Sequence, residues 1–372
     1  MRNKGPAPKS FIRLAKTGLI YAAMVLAPAA AIGFGVHNRS TTTTGASTPL
    51  RRPTTLAGQW LLEKGPADGV AHLALQRTAD GWSNFMTSFD VPLARLDGLV
   101  LPREGRKGEV RFLLSREAGA VTFQGELKNG AGSGQFQFSP NLAFVAAISA
   151  FGYVDLPLEK LFSMAVHGVT TAFVGEVKGL GYDHPEMDQL IAMRIHEVTP
   201  KYIRALADLG YQHPPIDELI AARIQGVNRK YIEGLNSLGY TAIPVETLVA
   251  MRTGNVDLDF IQRLKELGFD LPSPERLVAM KVQGVDTQFL KDLAGLGYSR
   301  ISADDMVAMK IHGVTIDFIR SLRSAGYQQI PAGELVAMKI HGVTIDCINR
   351  MKSRVMNPSV NQLINLCSQG MG

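Results

Sequence analysis

The residues whose type and spacing could do chemistry are histidines that recur at multiples of 29 positions. The column that contains them reads His167, His196, Gln225, Gly254, Gln283, His312 and His341. Imidazole nitrogens are common zinc ligands, and neighbouring copies could place two of them side by side. No cysteine or carboxylate column completes a ligand set, however, and a histidine at a helix C-terminus also complements the helix dipole. The sequence therefore predicts neither a metal site nor a cofactor.

A second column is cationic and could bind an anionic partner. Its members are Arg194, Arg223, Arg252, Lys281, Lys310 and Lys339. If the copies stack regularly, this basic ladder would contact an anionic polymer, lipid headgroups or the acidic face of a protein. Alternatively, these cations only stabilise the last turn of a helix and are neutralised by nearby acids. The ladder is the candidate partner-binding site.

Catalytic motifs are missing from the sequence. His196-Glu197 continues as Val-Thr-Pro and so does not form the His-Glu-x-x-His motif of zinc peptidases. Neither a Gly-x-Ser-x-Gly elbow nor a phosphate-binding loop occurs. The glycine-rich stretch 130–134 lies between strand patterns and predicts a turn. We expect a protein that is not an enzyme.

Seven copies of a 29-residue unit must position these columns. Glycine followed by Tyr or Phe recurs at a constant step, at Gly152, Gly181, Gly210, Gly239, Gly268, Gly297 and Gly326. Most units carry Leu and Met three residues apart, then an aromatic and an aliphatic residue four apart, which is typical of two short amphipathic helices; Ala222 replaces the Met in one unit, Met306 the Leu in another and Cys347 the aromatic residue in the last. The spacing predicts an α-solenoid over residues 157–356.

Glycines and short polar residues mark the ends of these helices. The predicted terminators are Gly168, Gly226, Gly284, Gly313 and Gly342 for the first helix and Gly210, Gly239, Gly297 and Gly326 for the second. The predicted N-caps of the second helix are Thr170, Thr199, Asn228, Asp257, Asp286, Thr315 and Thr344. Asn255 is an acceptable substitute for glycine, whereas Glu197 is expected to cost stability. His-Gly-Val-Thr thus predicts a helix end and a helix start, with Val314 packing on Met309.

Residues 57–140 show the alternating pattern of strands instead. The runs that suit strands are 70–76, 83–89, 109–115, 120–127 and 134–138. They predict a small antiparallel sandwich or partly closed barrel with Trp60 and Trp82 as anchors. Its interior is either a filled core or a cavity for a small ligand. Residues 141–156 read as a connecting helix.

The net charge of +6 comes from the N-terminal region. Residues 1–55 hold eight of the 39 basic residues and no acid, which leaves 31 bases against 33 acids elsewhere. The folded part therefore lacks the basic excess of a nucleic-acid-binding protein.

The same N-terminal region predicts export. A basic tail at 1–16 precedes the uncharged run 17–36, which would span roughly 30 Å as a helix. The charge bias places the N-terminus inside and the body outside the cytoplasmic membrane, in the periplasm or extracellular space. A cleaved signal with a secreted body is the alternative, because Ala-Pro-Ala at 27–29 and Ala-Ala-Ala at 29–31, within this run, fit small-residue cleavage sites. Residues 37–56 predict a disordered linker.

The C-terminal end reads as a cap. Residues 357–372 keep part of the repeat pattern but lack the Gly-Tyr pair. Cys347 and Cys367 are the two cysteines of the chain, and the sequence permits a disulfide between them without requiring one.

The repeat text LIAMRIHEVTPKYIRALADLGY at 190–211 resembles repeats in the exported tails of some bacterial membrane zinc-peptidase antirepressors. These are β-lactam-sensor-like signal transducers that pair with a DNA-binding repressor. The resemblance covers 157–356, while the multi-span membrane domain and the zinc motif are absent, so no catalytic residue is carried over. It implies an exported repeat module in a signalling setting.

Together these patterns predict an α+β multidomain protein: a membrane segment, a β module and a solenoid. The leading hypothesis is a non-enzymatic, membrane-anchored scaffold whose solenoid recognises a partner protein, with no nucleic acid involved. A sensor that binds a small ligand or glycan through the β module is the alternative, and a metal-dependent hydrolase is the weaker one.

Overall fold

The computed structural model describes residues 55–79 and 83–368. The predicted basic tail, membrane segment and most of the linker, together with Trp82 and the last four residues, lie outside this part of the chain. Among the described helices, none has the length and apolar character to cross a membrane.

The chain divides into two compact units, which are treated separately. The first unit holds the described residues up to Asp208 together with Gln212–Ile220. The second unit holds Leu209–Tyr211 and the residues from Ala221 onward. The first unit therefore contains the β module and the earliest repeats, and the second contains the later repeats.

The β module is a six-stranded antiparallel sheet with strand order β3-β2-β1-β6-β5-β4. The strands are β1 Leu56–Lys64, β2 Val70–Ala79, β3 Ser83–Pro92, β4 Lys107–Arg116, β5 Gly119–Lys128 and β6 Ala131–Pro140. Two three-stranded meanders are joined through the pairing of β1 with β6. A bridge between Asp97 and Leu113 brings the segment after β3 to β4. The expected antiparallel module is confirmed, as one sheet with β3 and β4 at the ends of the strand order and not as the two sheets of a sandwich.

The core of the sheet is aromatic. The Trp60 ring meets the Phe112 ring edge-on at 5.3 Å between centroids, and both side chains are buried. The indole Nε1 of Trp60 donates to the carbonyl oxygens of Gln124 at 3.0 Å and Gln135 at 3.1 Å. A Cβ on Gly125 would lie 2.6 Å from the indole, so glycine makes room for the ring.

The turn in the glycine-rich stretch 130–134 is shorter than the sequence predicts. Only Asn129 and Gly130 take positive φ, at 53° and 80°. Residues from Ala131 onward already belong to β6 and pair with β5. Glycines inside a strand permit a close backbone approach, which an isolated sequence pattern does not distinguish from a turn.

Sixteen α-helices follow in the described part of the chain. The first seven are α1 Leu142–Ser149, α2 Leu158–His167, α3 Thr171–Gly179, α4 Met187–Ile195, α5 Pro200–Ala207, α6 Ile216–Ile224 and α7 Arg229–Ser237. The next five are α8 Val245–Thr253, α9 Leu258–Glu266, α10 Pro274–Val282, α11 Thr287–Gly295 and α12 Ala303–Ile311. The last four are α13 Ile316–Ser324, α14 Ala332–Ile340, α15 Ile345–Arg354 and α16 Val360–Ser368. From α2 onward they form pairs in the predicted 29-residue pattern.

The junction between the two helices of a pair has the same local structure in successive repeats. Gly313 has φ 68°, and the N–H of Val314 donates to the carbonyl of Met309 at 2.8 Å, as in a Schellman ending. The Thr315 hydroxyl then accepts from the N–H of Phe318 at 3.1 Å and caps the next helix. The same cap bond is made by Thr170, Thr199, Asn228, Asp257, Asp286, Thr315 and Thr344.

Both groups of predicted terminators take left-handed conformations. Positive φ values between 68° and 101° occur at Gly168, Gly226, Gly284, Gly313, Gly342, Gly210, Gly239, Gly297 and Gly326. Glu197 and Asn255 take the same region at 56° and 55° without being glycine. A side chain with a Cβ costs roughly 1–2 kcal/mol there, less for Asn.

Tyrosine hydroxyls join consecutive repeats within each unit. Tyr153 donates to the carbonyl of Pro185 at 2.7 Å, and Tyr298 donates to that of Ile330 at 2.8 Å. Tyr182, Tyr240 and Tyr327 make equivalent bonds. Burial raises the pKa of Tyr182 and Tyr240 to about 12. The Gly-Tyr pair therefore ends one helix and also holds the following repeat.

A disulfide closes the C-terminal end of the described chain. Cys347 in α15 is bonded to Cys367 in α16, with their Cα atoms 6.2 Å apart. The bond ties the cap helix to the last repeat.

Candidate partner-binding surface

The basic ladder packs against aromatic rings of the preceding repeats. The cationic group of Arg194 lies 5.3 Å from the ring centre of Phe173, and that of Lys310 lies 4.3 Å from Phe289. Equivalent pairs are Arg252 over Tyr231, Lys281 over Phe260 and Lys339 over Phe318. A cation over a ring contributes about 0.5–2 kcal/mol. These cations connect successive repeats.

Burial limits what the ladder can offer to a partner. All six cations, including Arg223, are half-buried rather than exposed. Arg252 also donates through Nε to the carbonyl of Gln225 at 3.1 Å, at the end of α6 in the preceding repeat. The acids Asp257 and Asp286, which cap the following helices, are exposed. The ladder thus has a structural role that the sequence left open.

The histidine column is split between two environments. His167 lies in α2, with Nε2 3.4 Å from Oγ1 of Thr87 and its ring 6.3 Å from that of Phe89. Burial lowers the pKa of His167. His312 and His341 are exposed C-cap residues. Within residues 55–79 and 83–368, no group of three or more His, Cys, Asp or Glu could hold a metal ion.

Two other histidines were missed by the sequence analysis. The ring of His184 stacks on Tyr153 at 4.7 Å, and that of His213 stacks on Tyr182 at 4.2 Å. Both line a shallow depression in the first unit. The repeated His-Pro pairs at 184–185 and 213–214 are the signal that could have found them. Their stacking supports a role in joining neighbouring repeats.

An exposed aliphatic column is the surface feature that the sequence analysis did not single out. Each member directly follows a cation of the basic ladder. The exposed fractions are 47% for Ile195, 41% for Ile224, 65% for Val282, 53% for Ile311 and 57% for Ile340. Single exposed aliphatic residues are ordinary, but a regular column of them is a feature of binding surfaces.

In the second unit this column forms a continuous surface. The helices α10, α12 and α14 contact one another in order. One turn before each exposed residue lies a half-buried valine, at Val278, Val307 and Val336. We call Val278, Val282, Val307, Ile311, Val336 and Ile340 the outer apolar face. Exposed acids lie at its helix N-termini, at Glu275 and Asp304.

The first repeat carries the same positions, and there they are covered. Phe162 and Val166 in α2 correspond to the two apolar positions, and they are 1% and 3% exposed. Helix α2 contacts β1, β5 and β6 of the sheet. The β module therefore occupies, on the first repeat, the face that is open on later ones.

The β module itself has a largely filled interior. Trp60, Phe112, Phe123 and Phe136 are buried against one another. A groove at its rim is lined by Leu62, Gly69 and neighbouring residues.

Comparison with known proteins does not identify a family for this chain. No protein-family model matches the chain, and no curated protein matches it.

Proposed function

We propose that the chain is a non-enzymatic, membrane-anchored scaffold exported across the cytoplasmic membrane, whose repeats form an α-solenoid that binds a partner protein. The outer apolar face supports this proposal most directly. Val282, Ile311 and Ile340 recur on three neighbouring helices, each more than half exposed. Covering such side chains stabilises a complex by about 1 kcal/mol each, since full burial of a Val or Ile contributes ~1.5–3 kcal/mol.

The outer apolar face suits a protein better than an anionic polymer or a lipid surface. Exposed acids, among them Asp286 and Asp317, follow the half-buried cations Lys281 and Lys310 in the sequence, so this part of the chain carries charges of both signs. A lipid headgroup or nucleic acid needs an uncompensated basic surface. An apolar area with charged residues of both signs around it is typical of a protein contact.

The exported setting rests on the sequence. The tail at 1–16, the apolar run 17–36 and the resemblance to antirepressor tails support a role on the outer side of the membrane, in envelope signalling. The first unit's β module would then lie between the anchor and the repeats.

In-cell photocrosslinking of the full chain tests the proposal. A photoreactive residue at Ile340, within the outer apolar face, is compared with one at Val154, which is 65% exposed in the first unit. We expect one recurrent protein adduct from position 340 and none from 154. The adduct should disappear when Val282 and Ile311 are both changed to Lys.

Two results would contradict the proposal. Equal adducts from both positions would mean that the contact is not specific to the outer apolar face. The absence of an adduct from position 340, in cells where the chain is folded and exported, would mean that no partner occupies it.

A further inference from the structure

We propose that the partner presents an aromatic face of a β-sheet to the outer apolar face of α10, α12 and α14. The inference rests on the proposed function and specifies the chemistry of the partner. It comes from the first repeat, where the equivalent face already has an occupant.

The occupant of the first repeat is aromatic. The ring of Phe136 stacks on that of Phe162 with centroids 5.3 Å apart and planes 2° from parallel. The Phe138 ring meets the same Phe162 ring edge-on, also at 5.3 Å. Both phenylalanines belong to β6 and point to one side of the sheet, because alternate residues of a strand share a face. One sheet face thus places two rings on one helix.

Polar contacts at both ends of α2 fix this docking. Near its N-terminus, Arg77 of β2 donates to the carboxylate of Glu159 at 2.8 Å. That hydrogen bond lowers the pKa of Glu159. Near the C-terminus, His167 lies beside Thr87 and Phe89 of β3. An acid, two apolar positions and a histidine along one helix face therefore make the complete contact.

Of the three helices of the outer apolar face, α12 carries the whole set in the same register, whereas α10 has Gln283 in place of the histidine and α14 has Gly333 in place of the acid. Helix α12 has Asp304, Val307, Ile311 and His312 at the positions of Glu159, Phe162, Val166 and His167. Helix α10 has Glu275, Val278, Val282 and Gln283. All these side chains are exposed or half-buried. Asp304 pairs with Arg276 of α10 but keeps 58% of its side chain exposed. A basic side chain at the rim of a partner sheet can therefore pair with Asp304, as Arg77 pairs with Glu159 in the first repeat.

A second copy of this chain does not fit as the occupant. Its own aromatic sheet face is already buried on α2, with Phe136 2% and Phe138 0% exposed. Releasing that face would expose the core of the first unit. The outer apolar face is therefore assigned to another protein with a sheet face of similar chemistry.

A peptide that copies the known occupant tests the assignment. The probe is a fluorescent, backbone-cyclised hairpin with the sequence of residues 119–140, which spans β5 and β6, used only after circular dichroism has shown that it forms the β-hairpin. Its binding to the full-length chain is followed by fluorescence anisotropy. The control peptide replaces Phe136 and Phe138 with Ser. We expect saturable binding of the probe and no binding of the control.

Variants of the full-length chain locate the site. Ile311→Lys should weaken binding at least about tenfold, because a charge would then face the apolar contact. Val307→Phe, which reproduces Phe162, should tighten binding about three- to tenfold through ring–ring contact. Val100→Lys changes a residue that is 77% exposed on the β module and should leave the affinity unchanged.

The assignment is overturned if the probe binds neither the parent chain nor the Val307→Phe variant, or if Ile311→Lys leaves the affinity unchanged. Failure of the peptide alongside a position-340 crosslink would reject the sheet chemistry and keep the scaffold function. Peptide binding without any crosslink would instead reject the scaffold function in cells.

Discussion

The first repeat and the sixth repeat differ on one side only. Both begin with a helix that ends in a left-handed glycine, Gly168 or Gly313, and both continue with a threonine-capped second helix. On the outer side, however, the first repeat is covered by the β module, whereas the sixth has Ile311 53% exposed. The helix-end residues that both repeats share are therefore what a repeat requires to fold. The residues on the side that the β module covers in the first repeat are free to differ with what each repeat contacts.

The largest expected effect separates the covered repeat from the open one. Phe162→Ala removes a fully buried ring and should lower the free energy of unfolding by about 3–5 kcal/mol. Val307→Ala, at the equivalent half-buried position, should cost less than ~1 kcal/mol. Urea denaturation followed by circular dichroism measures both. Similar costs would show that the β module does not stabilise α2 through this contact.

The next effect should be the same in both repeats. Gly168→Ala and Gly313→Ala each place a Cβ at φ 68°, which costs roughly 1–2 kcal/mol. The nearest atoms would be 3.5 Å and 4.0 Å from that Cβ, which is ordinary contact. Thermal unfolding of the two variants checks the equality. A much larger loss at only one site would mean that packing, not backbone conformation, dominates there.

A smaller effect is expected where repeats are joined by tyrosine. Tyr153→Phe and Tyr298→Phe each remove one buried hydroxyl and leave a carbonyl without its donor, a loss of about 1 kcal/mol. Phe269 occupies this column naturally, so the change is compatible with the fold. Denaturant midpoints of the two variants should fall by similar amounts. An unchanged midpoint for either would remove that hydroxyl from the contacts that join repeats.

The smallest effect is a pH dependence confined to the covered repeat. Burial lowers the pKa of His167, so the folded state favours neutral imidazole. The resulting stability is complete above the unfolded-state pKa near 6.5 and is lost as the pH falls below it. His167→Gln should flatten the decline in stability between pH 7 and pH 5, which denaturation at each pH measures. A decline in the His167→Gln variant as steep as in the parent chain would contradict the assignment.

The repeat and its helix ends could be predicted because they depend on local sequence. A left-handed glycine, a capping threonine and an apolar spacing of three or four residues act within one or two turns of the chain. The connections between repeats could not be predicted in the same way. Whether Lys310 lies on Phe289 or faces solvent depends on a ring 21 residues earlier, and only the packed structure brings the two together.

The sheet shows the same limit. Alternating runs indicated five of its strands, whereas β1 was not identified. The start of β6 was not distinguished from a turn, because Gly130 and Gly132 resemble turn residues when read alone. The place of Gly132 in the strand depends on pairing with β5. The candidate surface was missed for a related reason. Val282 and Ile311 look like core residues until neighbouring helices show which side remains open.

The two-way connection of each repeat has a consequence for how such a chain lengthens. A middle copy places its cation on the ring of the copy before it and its tyrosine hydroxyl on a carbonyl of the copy after it, as Lys281 and Tyr298 of the fifth repeat do. A duplicated 29-residue segment therefore already contains the residues for both contacts, the cation and the tyrosine, and needs no new ones. Growth by whole copies inside the array is compatible with the fold, while the disulfide-bonded end stays where it is. The area available for partners can then increase by gene duplication without any redesign of the termini.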